Sequence, residues 1–422
     1  MRKALVLGAT VIAVTSVAFA GWKTYGPKMP VAMAQDEPKE LIDEVWTVIN
    51  HQYVDGTFNQ TDWVATRKNY LSRSYKDRKE AYDASREMLK TLNDPYTRFM
   101  DPDEYSNMKI DTSGELSGVG IQLAVDEKTK KLIVVAPIED SPAARAGIQS
   151  KDIIIKIDDA TTEGMDDKNA VRLIRGKEGT KVKLTIQRGP KQLDFNLVRA
   201  KIAIHPVRSR IDDVNGAKVG YIRLVQFSQP AIEEMEAAVK KLESQQVKGY
   251  VLDLRSNPGG LLNASVDIAR MFMNKGAIVS TVTREGSNDE QVANNSALTD
   301  KPLVVLVDGG SASASEILSG ALQDNRRAKI VGTKTFGKGL VQAVLPLRSD
   351  NERSAMAVTI AKYLTPNGTD INKHGIDPDV KQELTEQQRK ELSQNNDKIG
   401  TMADPQFAKA VQVLMQEQTA KS

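Results

Sequence analysis

Residues Leu303 to Val307 form an unbroken aliphatic run that leads directly into Asp308-Gly309-Gly310-Ser311-Ala312-Ser313-Ala314-Ser315-Glu316. A run so short and so apolar reads as a buried strand. The paired glycines mark a tight turn, and Ser313 to Leu322 carries a helical pattern. A strand, a tight turn and a helix in that order lift a serine to a sheet edge and aim backbone N–H groups outward. Those donors, with the helix dipole behind them, suit a developing oxyanion. Ser313 followed three residues later by Glu316 also fits a capping box, which needs no chemistry. Local sequence does not choose between the two readings, nor among Ser311, Ser313 and Ser315.

The flanking pattern sets the fold class. Strands are expected at Val219 to Phe227, Gly249 to Arg255, Leu303 to Val307 and Lys329 to Val331, with helices at Ala231 to Leu242 and Leu262 to Met273. This alternation indicates an α/β domain over residues 201–385, with later strands at Leu340 to Leu347 and Met356 to Tyr363. Upstream, residues 102–200 alternate short apolar runs with turns, as a β-rich module does. Residues 35–101 are a helical segment, in which Leu41, Val45 and Ile49 share a face and Asn93-Asp94-Pro95 closes the last helix. Its role is expected to be packing or contact with a second copy in a homodimer. Residues 386–422 read as a polar tail with a final helix near Phe407 to Met415.

A serine nucleophile needs a base. The chain has no cysteine and three histidines, His51, His205 and His374. Thiolate metal sites, disulfides and a cysteine nucleophile are thereby excluded. His374 lies in a turn-rich stretch, His205 precedes Pro206 in a linker, and His51 reads as a surface residue. Lys338, in Phe336-Gly337-Lys338-Gly339, is the second candidate. Burial would lower its pKa by disfavouring the ammonium form, and the flanking glycines would let backbone pack closely enough to bury it. Gln342 lies four residues on, so on a strand its amide shares a face with Lys338 and could orient the amine. Gly332 to Lys338 begins like a phosphate-binding loop, but Gly339 replaces the required Ser or Thr and a strand follows instead of a helix. A second loop, Asp253 to Gly260, ends a buried strand and could supply another oxyanion donor.

Arg2 and Lys3 followed by the uncharged run Ala4 to Ala20 read as an export signal. Cleavage sites are offered by Ala18-Phe19-Ala20 and Ala32-Met33-Ala34; the alternative is a retained anchor that keeps the protein near a membrane. With 58 basic and 55 acidic residues, the formal charge of +3 argues against a dedicated nucleic-acid binder.

Four stretches in this order resemble the carboxyl-terminal processing peptidases, Ser-Lys proteases with a PDZ domain. They are Asn93 to Phe99, Arg255 to Gly260, Gly310 to Glu316 and Thr335 to Gln342. The texture is similar to bacterial, especially cyanobacterial, members. The resemblance implies a crotonase-like α/β protease core, with Ser313 as nucleophile, Lys338 as base, Gln342 assisting, and the N–H groups of Ala314 and Gly259 as oxyanion hole. It implies that residues 102–200 are a PDZ domain whose Gly118-Val119-Gly120-Ile121 loop binds a terminal carboxylate, with strand addition capturing an apolar C-terminus. Occupying that groove would help open access to the core. Protein substrates with apolar C-termini, no metal, no organic cofactor, and a place in the periplasm or thylakoid lumen are the corresponding expectations. The competing reading is a proteolytically silent PDZ adaptor.

Overall fold

Strands Gly249–Asp253 and Leu303–Val307 are buried at every residue, as strands covered on both faces must be. They sit at the centre of a six-stranded sheet in the computed structural model, which describes residues 38–126, 129–138, 140–286 and 288–421. The sheet runs Val207–Val214, Ala217–Leu224, Gly249–Asp253, Leu303–Val307, Lys329–Gly332 and Val380–Lys381. Its first pair is an antiparallel hairpin and all other neighbours are parallel. Alternate side chains face two cores. Ile222, Leu252, Val305 and Ile330 pack with helices Pro230–Ser244, Leu262–Phe272 and Ala314–Asp324. Val219, Val251, Val304 and Val331 pack under helix Pro405–Lys421 through Phe407, Val411 and Leu414. The expected polar tail therefore covers one whole face of the sheet.

A second, five-stranded sheet centres on Ala355–Leu364. One side of that strand pairs along its length with Leu340–Pro346. The other side pairs first with Arg98–Met100 and then with Ala277–Thr283, which continues to Asn288–Val292. The N-terminal helices Pro38–Gln52, Trp63–Ser72 and Arg78–Lys90 bury Leu41, Val45, Ile49, Trp63 and Met88 against Phe99, Met356 and Val358 of this sheet. Their apolar faces are thus used within the chain.

Residues Ser113–Ile204 form a separate compact unit. Its main sheet runs Ile121–Val125, Leu132–Pro137, Ile153–Ile157, Lys181–Arg188 and Lys191–Val198, with a short pair Glu115–Gly118 and Ala200–Ala203. Val134, Ile154, Leu184, Ile186 and Leu197 fill its core with Ala170 and Ile174 of helix Asp167–Ile174. Strand Ile121–Val125 is one edge of the sheet, opposite the edge at Lys191–Val198, and contacts that helix.

Among the described residues no helix is long and apolar enough to cross a membrane. The export signal and both cleavage sites lie outside the described residues.

Candidate active site

Parallel neighbours end at the same side of a sheet, so the loops after Gly249–Asp253 and Leu303–Val307 are forced together. Asp308 fastens them by accepting from the N–H of Ser256 at 2.7 Å and of Gly310 at 2.9 Å. The three serines of the turn then behave differently. Ser311 Oγ donates to the Leu254 carbonyl at 2.9 Å, and Ser315 Oγ to the Asn257 carbonyl at 2.8 Å. Ser313 Oγ is buried and has no hydrogen-bond partner. Its backbone, at φ 56° and ψ −114°, lies where L-residues are strained. The capping-box pairing of Ser313 with Glu316 is present: the Ser313 N–H donates to Glu316 Oε2 at 2.8 Å, and the hydroxyl faces the Glu316 N–H without making a hydrogen bond to it.

Glu316 joins the serine turn to the lysine loop. Its Oε2 also accepts from the Lys338 N–H at 2.9 Å, and its Oε1 accepts from Thr335 Oγ1 at 2.5 Å and the Gly337 N–H at 2.7 Å. Burial pushes its carboxyl above the usual range, against the pull of these four donors. Gly337 and Gly339 admit the segment Ile371 to Ile376 at van der Waals contact. A Cβ on Gly339 would lie 2.6 Å from the Asn372 nitrogen, and one on Gly337 3.0 Å from the His374 nitrogen. This packing leaves Lys338 only 5% exposed.

The Lys338 amine donates to Gln342 Oε1 at 3.0 Å, and Gln342 Nε2 donates to the Tyr96 carbonyl at 2.7 Å. Lys338 Nζ also lies 4.9 Å from the centre of the Tyr96 ring. Burial lowers the lysine pKa to about 8; Arg98 adds to the fall, while Asp94 and Glu316 oppose it. Tyr363, fully buried, donates its hydroxyl to the Lys338 carbonyl and borders Ser313. The amine of Lys338 and the hydroxyl of Ser313 are not hydrogen-bonded to each other.

Gly259 packs directly on the serine turn. At φ +100°, a Cβ there would lie 2.7 Å from the Ala312 oxygen and 2.9 Å from both the Ala314 nitrogen and the Ser313 Cβ. Its N–H donates to Asn257 Oδ1 at 2.9 Å, so this amide is engaged. Ala314 is the first residue of its helix, where an amide has no acceptor within the helix. The loop's base is held by Arg255, which grips Asp253 through Nε at 2.9 Å and Nη2 at 2.6 Å, and reaches Asp404 at 2.8 Å and Gln406 at 3.0 Å.

None of the histidines joins this cluster. His205 pairs with Glu234 at the surface, and the side chains of His374 and His51 are exposed. Among the described residues no group of three or more His, Asp or Glu is placed to hold a metal ion. The contributions of Asp94, Tyr96, Arg98 and Tyr363 were not foreseen. The first three lay inside the Asn93 to Phe99 stretch, which by itself showed only a helix-ending turn.

In the smaller unit, Val119 is buried in the core and its carbonyl accepts from the Ala143 N–H at 2.9 Å. The Gly120 carbonyl accepts from the Ile138 N–H at 2.9 Å. In a planar trans peptide the next N–H points the opposite way, so the amides of Gly120 and Ile121 point away from Ala143 and Ile138 respectively. Gly118 closes the preceding strand opposite Ala200. Ile121 and Leu123 on the Ile121–Val125 edge, with Leu173 of the facing helix, are half-buried apolar residues.

Residues 218–382 match the model of peptidase family S41, and residues 133–188 match a PDZ domain. The carboxyl-terminal-processing protease of Synechocystis sp. is 44% identical over 388 residues, covering 91% of this chain and 88% of the relative. That of Picosynechococcus sp. is 45% identical over 397 residues, 93% of each chain. Among solved structures, a photosystem II D1 C-terminal processing protease is 35% identical, with a TM-score of 0.56 over 82% of this chain and 93% of the other. A paired serine turn and lysine loop on an α/β core, a PDZ unit beside them in sequence, and 44–45% identity to relatives over 91–93% of the chain lead to one conclusion: the protein belongs to the carboxyl-terminal processing proteases of peptidase family S41 and is a serine peptidase.

Proposed function

We propose that Ser313 is the nucleophile of an acyl-enzyme mechanism, with Lys338 as its base and Gln342 orienting that base. The contrast among the three serines carries this reading. Ser311 and Ser315 are tied to the neighbouring loop, while Ser313 keeps a buried, unpartnered hydroxyl at a strained helix start. Neutral Lys338 takes the hydroxyl proton as Ser313 Oγ bonds to the peptide carbonyl carbon. The carbonyl oxygen, now an oxyanion, is met by the Ala314 N–H; the Gly259 N–H joins by turning from Asn257. The C–N bond breaks, the proton passes from Lys338 to the leaving amine, and an ester remains on Ser313. Water attacks that ester while Lys338 takes a proton from it, and the proton returns to Ser313 as the carboxylate product leaves. Catalytic hydrogen bonds commonly close only with substrate present, which accommodates the open Ser313–Lys338 pair.

The PDZ unit supplies recognition. The backbone amides of the Gly118-Val119-Gly120-Ile121 loop would receive a terminal carboxylate. The edge at Ile121–Val125 would pair with the extended peptide, and the apolar surface beside Leu173 would take its last side chain. Substrates are exported proteins with apolar C-termini, in the periplasm or thylakoid lumen. The cyanobacterial relatives and the D1-processing neighbour make the precursor of a photosystem II reaction-centre protein the first to test.

The test incubates the protein with peptides ending in apolar residues. Wild type cleaves, and Ser313→Ala and Lys338→Ala each lose at least about a hundredfold in rate. Undiminished cleavage by Lys338→Ala would sink the assignment.

A further inference from the structure

The Asn93 to Phe99 turn reaches the lysine through a chain of hydrogen bonds that no role above uses. Asp94 Oδ1 accepts from the Tyr96 N–H at 2.9 Å. Asp94 Oδ2 accepts from the hydroxyls of Thr97 at 2.7 Å and Thr359 at 2.8 Å. Thr97 and Thr359 are both buried, and the Thr359 N–H donates to Thr97 Oγ1 at 3.0 Å. Thr359 is in turn the cross-strand partner of Gln342. The carboxylate thus fixes the peptide of Tyr96 against the strand beside Gln342.

That placement decides which way Gln342 faces. A carbonyl oxygen can only accept, so the Tyr96 carbonyl selects the amide NH2 and turns Oε1 toward Lys338. Without that acceptor the Gln342 amide could flip and present N–H donors to an amine that, when neutral, needs its lone pair aimed at serine. We infer that Asp94, through the Tyr96 carbonyl, is a positioning residue that sets the orientation of Gln342 and thereby the aim of Lys338. This rests on Lys338 being the base.

At a pH where Lys338 is already neutral, the effect of Asp94 that runs through Gln342 must vanish when Gln342 is absent. The experiment is a double-mutant cycle of Asp94→Ala and Gln342→Ala, read as kcat and KM on one apolar-ended peptide at alkaline plateau pH. Asp94→Ala alone lowers kcat about tenfold with KM within about twofold. In the Gln342→Ala background it lowers kcat less than about twofold. Asp94→Asn keeps an acceptor for the Tyr96 N–H and restores kcat to within about twofold of wild type. Equal losses in both backgrounds, or no loss in either, overturn the inference. If Asp94→Ala does not fold by thermal unfolding, Thr359→Val replaces it in the same cycle, with the same criterion. Lys338→Ala, run alongside, separates the failures: activity there removes the base, whereas an inactive Lys338→Ala with an additive cycle removes only the positioning role.

Discussion

Replacing Arg98 by Gln tests how the lysine is kept neutral. At pH 7 an amine with a pKa of about 8 is about one-tenth unprotonated, whereas one at the ordinary 10.5 would be neutral in only about three molecules per ten thousand. The enclosure therefore raises the competent fraction about 300-fold. Burial does most of this, and it survives the substitution because Gly337, Gly339 and the Ile371 to Ile376 segment still cover the lysine. The Arg98 cation does the rest, by repelling a second positive charge. Arg98 stands on the strand paired with Ala357, which is itself the partner of Val344, two residues beyond Gln342. The assay is kcat/KM of a short peptide between pH 6 and 10. Wild type rises with pH and levels off above about pH 8, gaining about tenfold from pH 7. Arg98→Gln moves that rise to higher pH, so its deficit is largest near neutrality and closes on the alkaline plateau. Asp94→Asn removes a charge of the other sign and moves the rise to lower pH. A flat wild-type profile, or shifts in the reverse directions, would refute the electrostatic argument.

Gly259→Ala places a Cβ against the Ala312 oxygen and the Ala314 nitrogen at a backbone angle that alanine resists; kcat should fall about a hundredfold in a single-turnover assay. Arg255→Ala removes the nearest cation from the buried carboxylates of Asp253 and Asp404, so denaturant unfolding should show a loss of about 3–5 kcal/mol. Gly120→Ala, with φ +77° and a Cβ 2.2 Å from that of Ser141, should weaken binding of a fluorescent apolar C-terminal peptide about tenfold, and unchanged anisotropy titrations would remove that loop from recognition.

Much of this architecture is legible in the residues. Leu303 to Val307 is a strand at the bounds its aliphatic run predicts, because nothing but a doubly covered strand satisfies five such residues between a proline and a turn. Ala231 to Leu242 lengthens to Pro230–Ser244, and Met356 to Tyr363 to Ala355–Leu364. The local sequence could not rank three alternating serines, since the difference lies in carbonyls of another loop, those of Leu254 and Asn257, more than fifty residues away. Nor could it show that one Glu316 oxygen serves the backbone of both Ser313 and Lys338. The Tyr96–Gln342 bond spans 246 residues and leaves no trace in spacing or periodicity. Strands Ala277–Thr283 and Asn288–Val292 carry little apolar signal: Ser280 and Thr281 break the run of the first, although Thr281 is buried, and the second has four polar residues before Val292.

Strand Ala355–Leu364 touches nearly every part of the lysine's surroundings. It carries Thr359 and Tyr363, lies beside Gln342 along one border, and holds Arg98–Met100 and Ala277–Thr283 along the other. A distortion of that one ribbon would carry the base, its amide and its tyrosine together, so their mutual spacing is insulated from gentle deformation. Heat should therefore leave the chemistry intact until this ribbon lets go, and then abolish it in a single step together with the sheet.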